Sequence, residues 1–155
     1  MIENHNIIPY TRKLSQNFKD LNLEWLEKYF YVEPHDKDLL ERCEEMIIDK
    51  GGYIFFYQEE KKILGTFALI KIKNNVFELG KMAVTESDQG RGIGQKLLLF
   101  CLCFSKAKKW EKLILYSNTK LKNSIFIYKK VGFKEVSLET DNPYDRGNIK
   151  MELTL

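Results

Sequence analysis

The feature that most constrains the fold is a series of alternate glycines in DQGRGIGQKLLLF, residues 88–100, directly before a run of leucines. Glycine costs a helix about 1 kcal/mol per residue relative to alanine, so glycines at a helix start usually serve another purpose. The preceding segment VFELGKMAV is rich in strand-forming residues, and the following leucines have helical spacing. A strand, a glycine-rich turn and a helix therefore follow one another, and the amides of such a turn can bind a phosphate group.

Strand and helix patterns alternate along the rest of the chain. Runs of β-branched and aromatic residues predict strands over 5–11, 53–58, 63–73, 76–84, 112–117, 133–139 and 148–155. Apolar spacings of three and four predict helices over 18–30, from Asp36 or Asp38 to 49, over 92–108 and over 121–131. Pro34 is expected to end the first helical pattern. This order predicts one α+β domain, residues 1–155, with about four helices packed on a mixed sheet of about seven strands.

Composition and charge exclude several classes of protein. The chain has 25 Lys and Arg against 22 Asp and Glu, and the basic residues are scattered, which argues against a nucleic-acid-binding protein. Its longest apolar run, residues 97–104, is too short to cross a membrane. The three cysteines lack metal-ligand spacing, so no metal is expected. These residues and the absence of a leader pattern predict a cytoplasmic protein.

The glycine series is compatible with one of three phosphate-binding patterns. No GxxxxGK[ST] segment is present, and Gly90, Gly92 and Gly94 form GxGxG where a dinucleotide fingerprint needs GxGxxG. The pattern Q-x-x-G-x-G is satisfied by Gln89, Gly92 and Gly94 at a strand-to-helix junction. The turn amides and the helix dipole would then bind a pyrophosphate. A glycine turn that only reverses the chain is the alternative.

Several motifs in register resemble the GNAT (GCN5-related N-acetyltransferase) superfamily. ELGKMAV, QGRGIG, a strand and YKKVGF follow in the order and spacing of that family, most clearly from residue 76 to 133. The segments NLEWLEKYFYVEPHD and YDRGNIKMEL also resemble a bacterial subgroup that is sometimes fused to MarR-type regulators. The resemblance implies a GNAT-like, mostly antiparallel sheet and acetyl-CoA (coenzyme A) as cofactor.

The resemblance implies two groups of cofactor-binding residues. Backbone amides from Gln89 to Gln95 would hold the pyrophosphate, with charge from Arg91 and Lys96, although those two side chains could equally belong to a solvated face. The strand at 82–84 would pair with the pantetheine arm. Leu121 stands where many relatives have an asparagine, and Asn118 is the expected replacement. The full expected set is Met82, Ala83, Val84, Gln89, Gly90, Arg91, Gly92, Ile93, Gly94, Gln95, Asn118 and Lys130.

Two residues are expected to act in catalysis. Tyr128 matches the tyrosine that protonates the leaving thiolate in many relatives, although its apolar stripe would also suit a core tyrosine. Glu78 lies in an otherwise apolar strand. Some protein-acetylating relatives have a glutamate base at the corresponding point, so the resemblance makes Glu78 the candidate general base. An amine with a pKa near 10 requires such a base or a water relay. The alternative is that Glu78 faces the edge of the sheet or forms a salt bridge and has no catalytic role. Glu33 and His35 are weaker candidates for the base.

In this family the acceptor pocket usually lies between the first helices and the loop before the last strand. The expected acceptor residues are Trp25, Tyr29, Tyr31, Tyr144 and Arg146, although aromatic residues at helical spacing more often pack in the core. Arg146, if it faces the pocket, would favour an acceptor with a carboxylate.

The leading hypothesis is an acetyl-CoA-dependent N-acetyltransferase that acts on a primary amine by direct attack on the thioester. A non-catalytic acetyl-CoA-binding or sensing module is the alternative, and it would retain the cofactor site without Tyr128 acting. The expected partner is a small-molecule or peptide amine, without nucleic acid or membrane, and a homodimer is possible.

Overall fold

A seven-stranded mixed sheet forms the centre of the computed structural model, which describes residues 5–155. Residues 1–4 of the predicted domain lie outside the described residues. The strands are β1 (Ile7–Pro9), β2 (Tyr53–Glu59), β3 (Lys62–Lys73), β4 (Val76–Val84), β5 (Lys112–Ser117), β6 (Lys134–Val136) and β7 (Ile149–Thr154). Their spatial order is β1-β2-β3-β4-β5-β7-β6, and β4 with β5 is the parallel pair among otherwise antiparallel neighbours. The predicted fold class is confirmed.

Four α-helices cover the two faces of this sheet. They are α1 (Ser15–Tyr29), α2 (Pro34–Glu41), α3 (Ile93–Ala107) and α4 (Lys122–Lys130). On one face, α1 and α2 bury Phe18, Leu26 and Leu39 against β2 and β3. On the other, α3 buries Leu97 and Cys101 in a second core cluster, against which α4 packs. Each helix thus covers the sheet with its apolar side, as the spacing predicts.

The second helix begins earlier than the sequence indicates. Glu33, and not Asp36 or Asp38, is the N-cap, and Pro34 is the first helical residue. Asp36 is at N3, where its carboxylate accepts a hydrogen bond from the amide of Glu33 over 3.0 Å, which completes a capping box. Proline suits this position because it has no amide hydrogen to satisfy. The predicted helix to residue 49 is divided into α2 and a π-helical segment, Glu44–Ile48.

Strand β4 carries one extra residue where it pairs with β3. The pair of Ala68 with Gly80 is followed by that of Thr66 with Ala83, so two residues of β4 oppose one of β3. This is a β-bulge, and Lys81 within it has a φ of +52°, which is uncommon for residues other than glycine. The bulge lets the Lys81 side chain reach Asp36 of α2, at 2.5 Å.

The parallel neighbours β4 and β5 pair along only part of their length. Residues 76–78 pair with 112–114, and no later pair joins these two strands in the described part of the chain. Beyond that point β4 leads to the glycine series, and β5 leads to α4. The two strands therefore leave a gap in the sheet at their carboxyl ends, where ligands commonly bind in α/β sheets.

Candidate active site

A cavity of about 740 Å³ occupies the gap between β4 and β5. Its walls include residues 78–84 of β4, residues 115–118 at the end of β5, the glycine series, the start of α4 and the end of α1. The predicted site residues that line it are Trp25, Tyr29, Glu78, Met82, Ala83, Val84, Gln89, Gly90, Gly92, Ile93, Gly94, Gln95, Asn118, Tyr128, Tyr144 and Arg146. The structure thus brings most of the predicted cofactor, catalytic and acceptor residues to one cavity.

The glycine series has the geometry of an anion-binding turn. Gly90 and Gly92 have φ values of +83° and +81°, and Gly92 is the N-cap of α3. A Cβ atom at either position would have no neighbour within 4 Å, so the backbone there faces open space. Among the described residues, no acceptor takes a hydrogen bond from the backbone amides between Gly90 and Gln95. These amides and the N-terminus of α3 fit a diphosphate group.

The segment before the glycines is fastened to α1. The Gln89 side chain donates to the carbonyl of Val84 over 3.2 Å and accepts from the Tyr29 hydroxyl over 3.3 Å. The Glu86 amide donates to Glu24 over 2.8 Å. Helix α1 therefore holds the entrance of the glycine turn in place.

Three residues of the expected cofactor and acceptor sets lie outside the lining of the cavity. The Arg91 guanidinium is paired with Glu59 at 2.9 Å and with Asp88 at 2.8 Å, so its charge is already compensated. Lys130 is exposed near the end of α4. Tyr31 is 54% exposed. None of the three lines the cavity, although the backbone of Arg91 belongs to the glycine turn.

Tyr128 lines the cavity from α4 with an unpaired hydroxyl. Its ring packs edge-on against Phe133, with the ring centroids 5.7 Å apart. In the described part of the chain, the hydroxyl makes no hydrogen bond. Burial and the nearby Cys101 raise the pKa of Tyr128 to about 12. The phenol is therefore protonated at neutral pH and free to donate to a ligand in the cavity.

Glu78 lies in the buried part of the cavity, with 4% of its surface exposed. Its Oε2 accepts a hydrogen bond from the Tyr144 hydroxyl over 2.9 Å, and no described residue donates to its Oε1. Burial raises the pKa of Glu78 from its ordinary value, while the bond from Tyr144 opposes this shift. A carboxylate with a raised pKa and one open oxygen can accept a proton near neutral pH.

A buried ionic cluster of Glu33, Asp36, Lys81 and Arg146 lies next to Glu78. Arg146 binds Asp36 through both terminal nitrogens, at 2.5 and 2.9 Å, and binds Glu33 at 2.9 Å. Lys81 binds the same Asp36 at 2.5 Å. Burial alone would raise the pKa of Asp36, but the bonds from Arg146 and Lys81 lower it to about 2. The cluster joins α2, the bulge in β4 and the β6–β7 loop.

The cluster changes the interpretation of three predicted residues. Arg146 lines the cavity, but its guanidinium is engaged by two carboxylates of the protein. Glu33 is likewise engaged, since its carboxylate also accepts from the amides of Asp145 and Arg146, over 2.7 and 3.2 Å. Asn118 donates to the carbonyl of Arg146 over 2.8 Å, so its amide helps to hold the same loop. Neither the guanidinium nor the Glu33 carboxylate is free to bind a ligand.

Sequence reasoning missed Lys81 and the ionic partners of Asp36. Lys81 is 45 residues from Asp36, and Arg146 is 110 residues from it, so no local spacing relates them. The available signal was a second charged residue, Lys81, beside Glu78 in an otherwise apolar strand. Buried charges in a strand are rarely left unpaired, and this predicts a partner elsewhere.

Among the described residues, no group of three His, Cys, Asp or Glu is placed to hold a metal ion, and no helix is long and apolar enough to cross a membrane.

Solved structures share this fold at low sequence identity. An acetyltransferase of the GNAT family from Staphylococcus aureus is 24% identical, with a TM-score of 0.84 over 96% of this chain and 98% of that one. A GNAT family acetyltransferase from Elizabethkingia anophelis, solved with acetyl-CoA bound, is 22% identical with a TM-score of 0.73, covering 98% and 100%. A Bacillus subtilis acetyltransferase in complex with CoA is 18% identical with a TM-score of 0.73, covering 97% and 98%.

The amino-acid sequence identifies the family directly. No curated protein matches the chain significantly. A family model described as an acetyltransferase (GNAT) domain matches residues 50–135, more than half of the chain. This match covers the glycine series, both strands that border the gap, and Tyr128. The predicted resemblance and the predicted class of enzyme are confirmed: the protein belongs to the GNAT family of acetyltransferases.

Proposed function

We propose that the protein transfers an acetyl group from acetyl-CoA to the nitrogen of a primary amine, which attacks the thioester directly. The observation that carries the proposal is that one cavity joins the open amides of the glycine series to the unpaired hydroxyl of Tyr128 and the open oxygen of Glu78. Acetyl-CoA, when bound, supplies the activated acetyl group. The other requirements of the reaction fall to side chains and backbone of this chain.

The glycine series would hold the cofactor diphosphate. The amides between Gly90 and Gln95 have no acceptor within the described chain, and no Cβ would occupy the space in front of Gly90 or Gly92. The free edge of β4 at 82–84 borders the gap and would pair with the pantetheine arm as a strand does. Solved relatives from Bacillus subtilis and Elizabethkingia anophelis contain CoA and acetyl-CoA, which supports the same cofactor here.

Tyr128 would donate a proton to the leaving thiolate. Its hydroxyl makes no competing hydrogen bond, and the pKa of about 12 keeps it protonated. A thiolate left without a proton donor would reverse the reaction more readily, so a positioned acid accelerates the forward transfer.

Glu78 would accept the proton of the attacking amine. Most primary amines are protonated at neutral pH, so the nitrogen lone pair becomes available only after a proton is lost. The raised pKa of Glu78, due to burial, makes this carboxylate a stronger base than an exposed one. Oε1 is the oxygen available for this, because Oε2 is bonded to Tyr144.

Calorimetric titration with acetyl-CoA, followed by a thiol-release assay with a panel of amines, tests the proposal. We expect saturable one-to-one binding and amine-dependent release of thiol. Binding without release for any amine would support the sensor alternative. Absence of binding in a folded sample would overturn both the enzyme and the sensor. Analytical ultracentrifugation of the same sample would test whether the protein forms the homodimer that the family resemblance leaves open.

A further inference from the structure

The acceptor is expected on the side of the cavity that Tyr144 and Arg146 line. The buried cations on this side are already paired with carboxylates of the protein. Arg146 is bound to Asp36 and Glu33, and Lys81 is bound to Asp36. Their side chains are 14% and 3% exposed. A substrate carboxylate could bind either cation only by displacing a protein carboxylate that would then be buried without a partner, which is costly.

Among the described residues, the buried charged group left open on this side of the cavity is a carboxylate. Glu78 lines the cavity, and its Oε1 receives no hydrogen bond from a described residue. If Glu78 and the paired groups are all ionised, the three acidic residues outnumber Lys81 and Arg146 by one. The local field therefore favours a cationic ligand and opposes an anionic one.

Aromatic rings line the same side and already contact ammonium groups. Lys81 Nζ lies 4.6 Å from the centre of the Tyr144 ring, and Lys120 Nζ lies 4.3 Å from that of Phe30. Trp25 packs beside Phe30, with ring centroids 5.6 Å apart, and both line the cavity. Ring faces at these distances attract cations by about 0.5–2 kcal/mol, depending on desolvation.

Two lysines that line the cavity have no carboxylate partner among the described residues, and both are exposed. Lys120 follows β5, and Lys122 is the first residue of α4. Exposed charges interact weakly through water, so these lysines select a buried carboxylate poorly.

We infer that the acceptor is a cationic amine that carries no carboxylate, such as an arylalkylamine or an alkyl diamine. This inference rests on the proposed function and reverses the expectation drawn from Arg146. The ammonium group lies between Glu78 Oε1 and the aromatic rings and loses one proton to Glu78, which passes it to solvent. The neutral amine forms the N–C bond as the thioester C–S bond breaks, and Glu78 then takes the second proton from nitrogen, which leaves the neutral amide. The departing sulfur takes its proton from Tyr128, which solvent then reprotonates.

Pairs of amines that differ only in the carboxylate test this inference. Tyramine is compared with tyrosine, and cadaverine with lysine, by kcat/KM in the thiol-release assay. We expect at least a tenfold preference for the decarboxylated member of a pair. The dissociation constants of the same compounds, measured by nuclear magnetic resonance with coenzyme A present, should show the same order without any turnover.

Two variants separate the inference from its alternatives. In Glu78→Gln, the ratio of the dissociation constants of the two members of a pair should fall towards 1, because the open carboxylate is removed while the aromatic rings stay. Equal or tighter binding of tyrosine and lysine to the wild type would overturn the inference while leaving acetyl transfer intact. A preference for the carboxylate that disappears in Lys120→Ala would also overturn it and assign recognition to Lys120. Failure of every compound to bind, in protein that binds acetyl-CoA, would overturn it as well.

Discussion

The Tyr144 hydroxyl donates to Oε2 of Glu78 over 2.9 Å, although the two residues are 66 positions apart in the chain. This bond joins the loop before β7 to the middle of β4 and leaves Oε1 facing the cavity. It also stabilises the charged carboxylate and so opposes the rise in pKa that burial causes.

Tyr144→Phe should shift the pH dependence of the reaction. Without the Tyr144 hydroxyl, the hydrogen bond that lowers the pKa of Glu78 is lost, while burial still raises it. The pKa of Glu78 therefore rises further. The active form of Glu78 is the ionised one, so the ascending limb of the kcat/KM profile should move to higher pH. Tyr57→Phe is the matched control, because that hydroxyl donates to Glu59 over 2.9 Å outside the cavity. An ascending limb that stays in place would remove Glu78 from the role of base.

Tyr128→Phe should lower kcat with little effect on cofactor affinity. A positioned acid contributes roughly 10²–10⁴-fold to such reactions, so a loss of about 100-fold is expected. Since the hydroxyl has no partner among the described residues, the free energy of unfolding should change little. Stopped-flow thiol release and calorimetry on the same preparation measure both quantities. A variant as active as the wild type would contradict the assignment.

Gly92→Ala should weaken acetyl-CoA binding at least tenfold. Gly92 has a φ of +81°, where a side chain costs about 1–2 kcal/mol, and the added Cβ would enter the open space before the turn amides. Gly132→Ala is the control, because Gly132 has a φ of +110° and does not line the cavity. Both variants should lose stability, but only the first should lose affinity, as measured by calorimetry. Equal affinities in the two variants would show that the turn does not bind the cofactor.

Asp36→Asn should destabilise the fold by about 3–5 kcal/mol, because it leaves Lys81 and Arg146 buried with less compensating charge. Glu45→Gln removes one partner of the exposed Arg42–Glu45 pair at 2.6 Å, and exposed pairs contribute about 1 kcal/mol or less. Urea unfolding of the two variants measures the contrast. Similar losses would mean that the buried cluster adds no more than a surface pair.

Acid should weaken the wild type more than Asp36→Asn. The pKa of Asp36 lies at about 2 in the folded chain against an ordinary 3.8. A lowered pKa contributes stability above the ordinary value, and the contribution disappears as pH falls towards the folded value. The difference in unfolding free energy between the two proteins should therefore shrink between about pH 4 and pH 2. A constant difference would contradict the ionised state of Asp36.

The fold could be predicted because its signals are local. Hairpin-sized gaps, apolar spacing and the glycine series each lie within a few residues, and β4 and β5 begin and end where their composition predicts. Glycine at 92 is required by its own backbone conformation, which is a property of that position alone. The resemblance to a known family added the expectation that the strand at 82–84 is free to pair with a ligand, whereas the parallel pairing of β4 with β5 was not predicted.

The charges of the site could not be predicted in the same way. Whether Arg146 is free or paired depends on Asp36 and Glu33, which are 110 and 113 residues away from it along the chain. The first helix ends before Pro34, as predicted, but Pro34 is also the first residue of α2, because proline favours the first turn of a helix. Arg91 illustrates the same limit, since Glu59 on β2 compensates its charge.

The gap between β4 and β5 divides the sheet into two halves that share only a short stretch of ladder. Asp36, Lys81 and Glu78 belong to the first half, while Tyr144 and Arg146 belong to the second. The side chains around the proposed acceptor site therefore also form the hydrogen bonds and ion pairs that join the two halves. Substitutions of these residues that change the substrate preference would also weaken the contact between the two halves. New specificities should therefore arise more readily from the half-buried Tyr29 and Phe30 and the exposed Lys120 than from the buried charged residues.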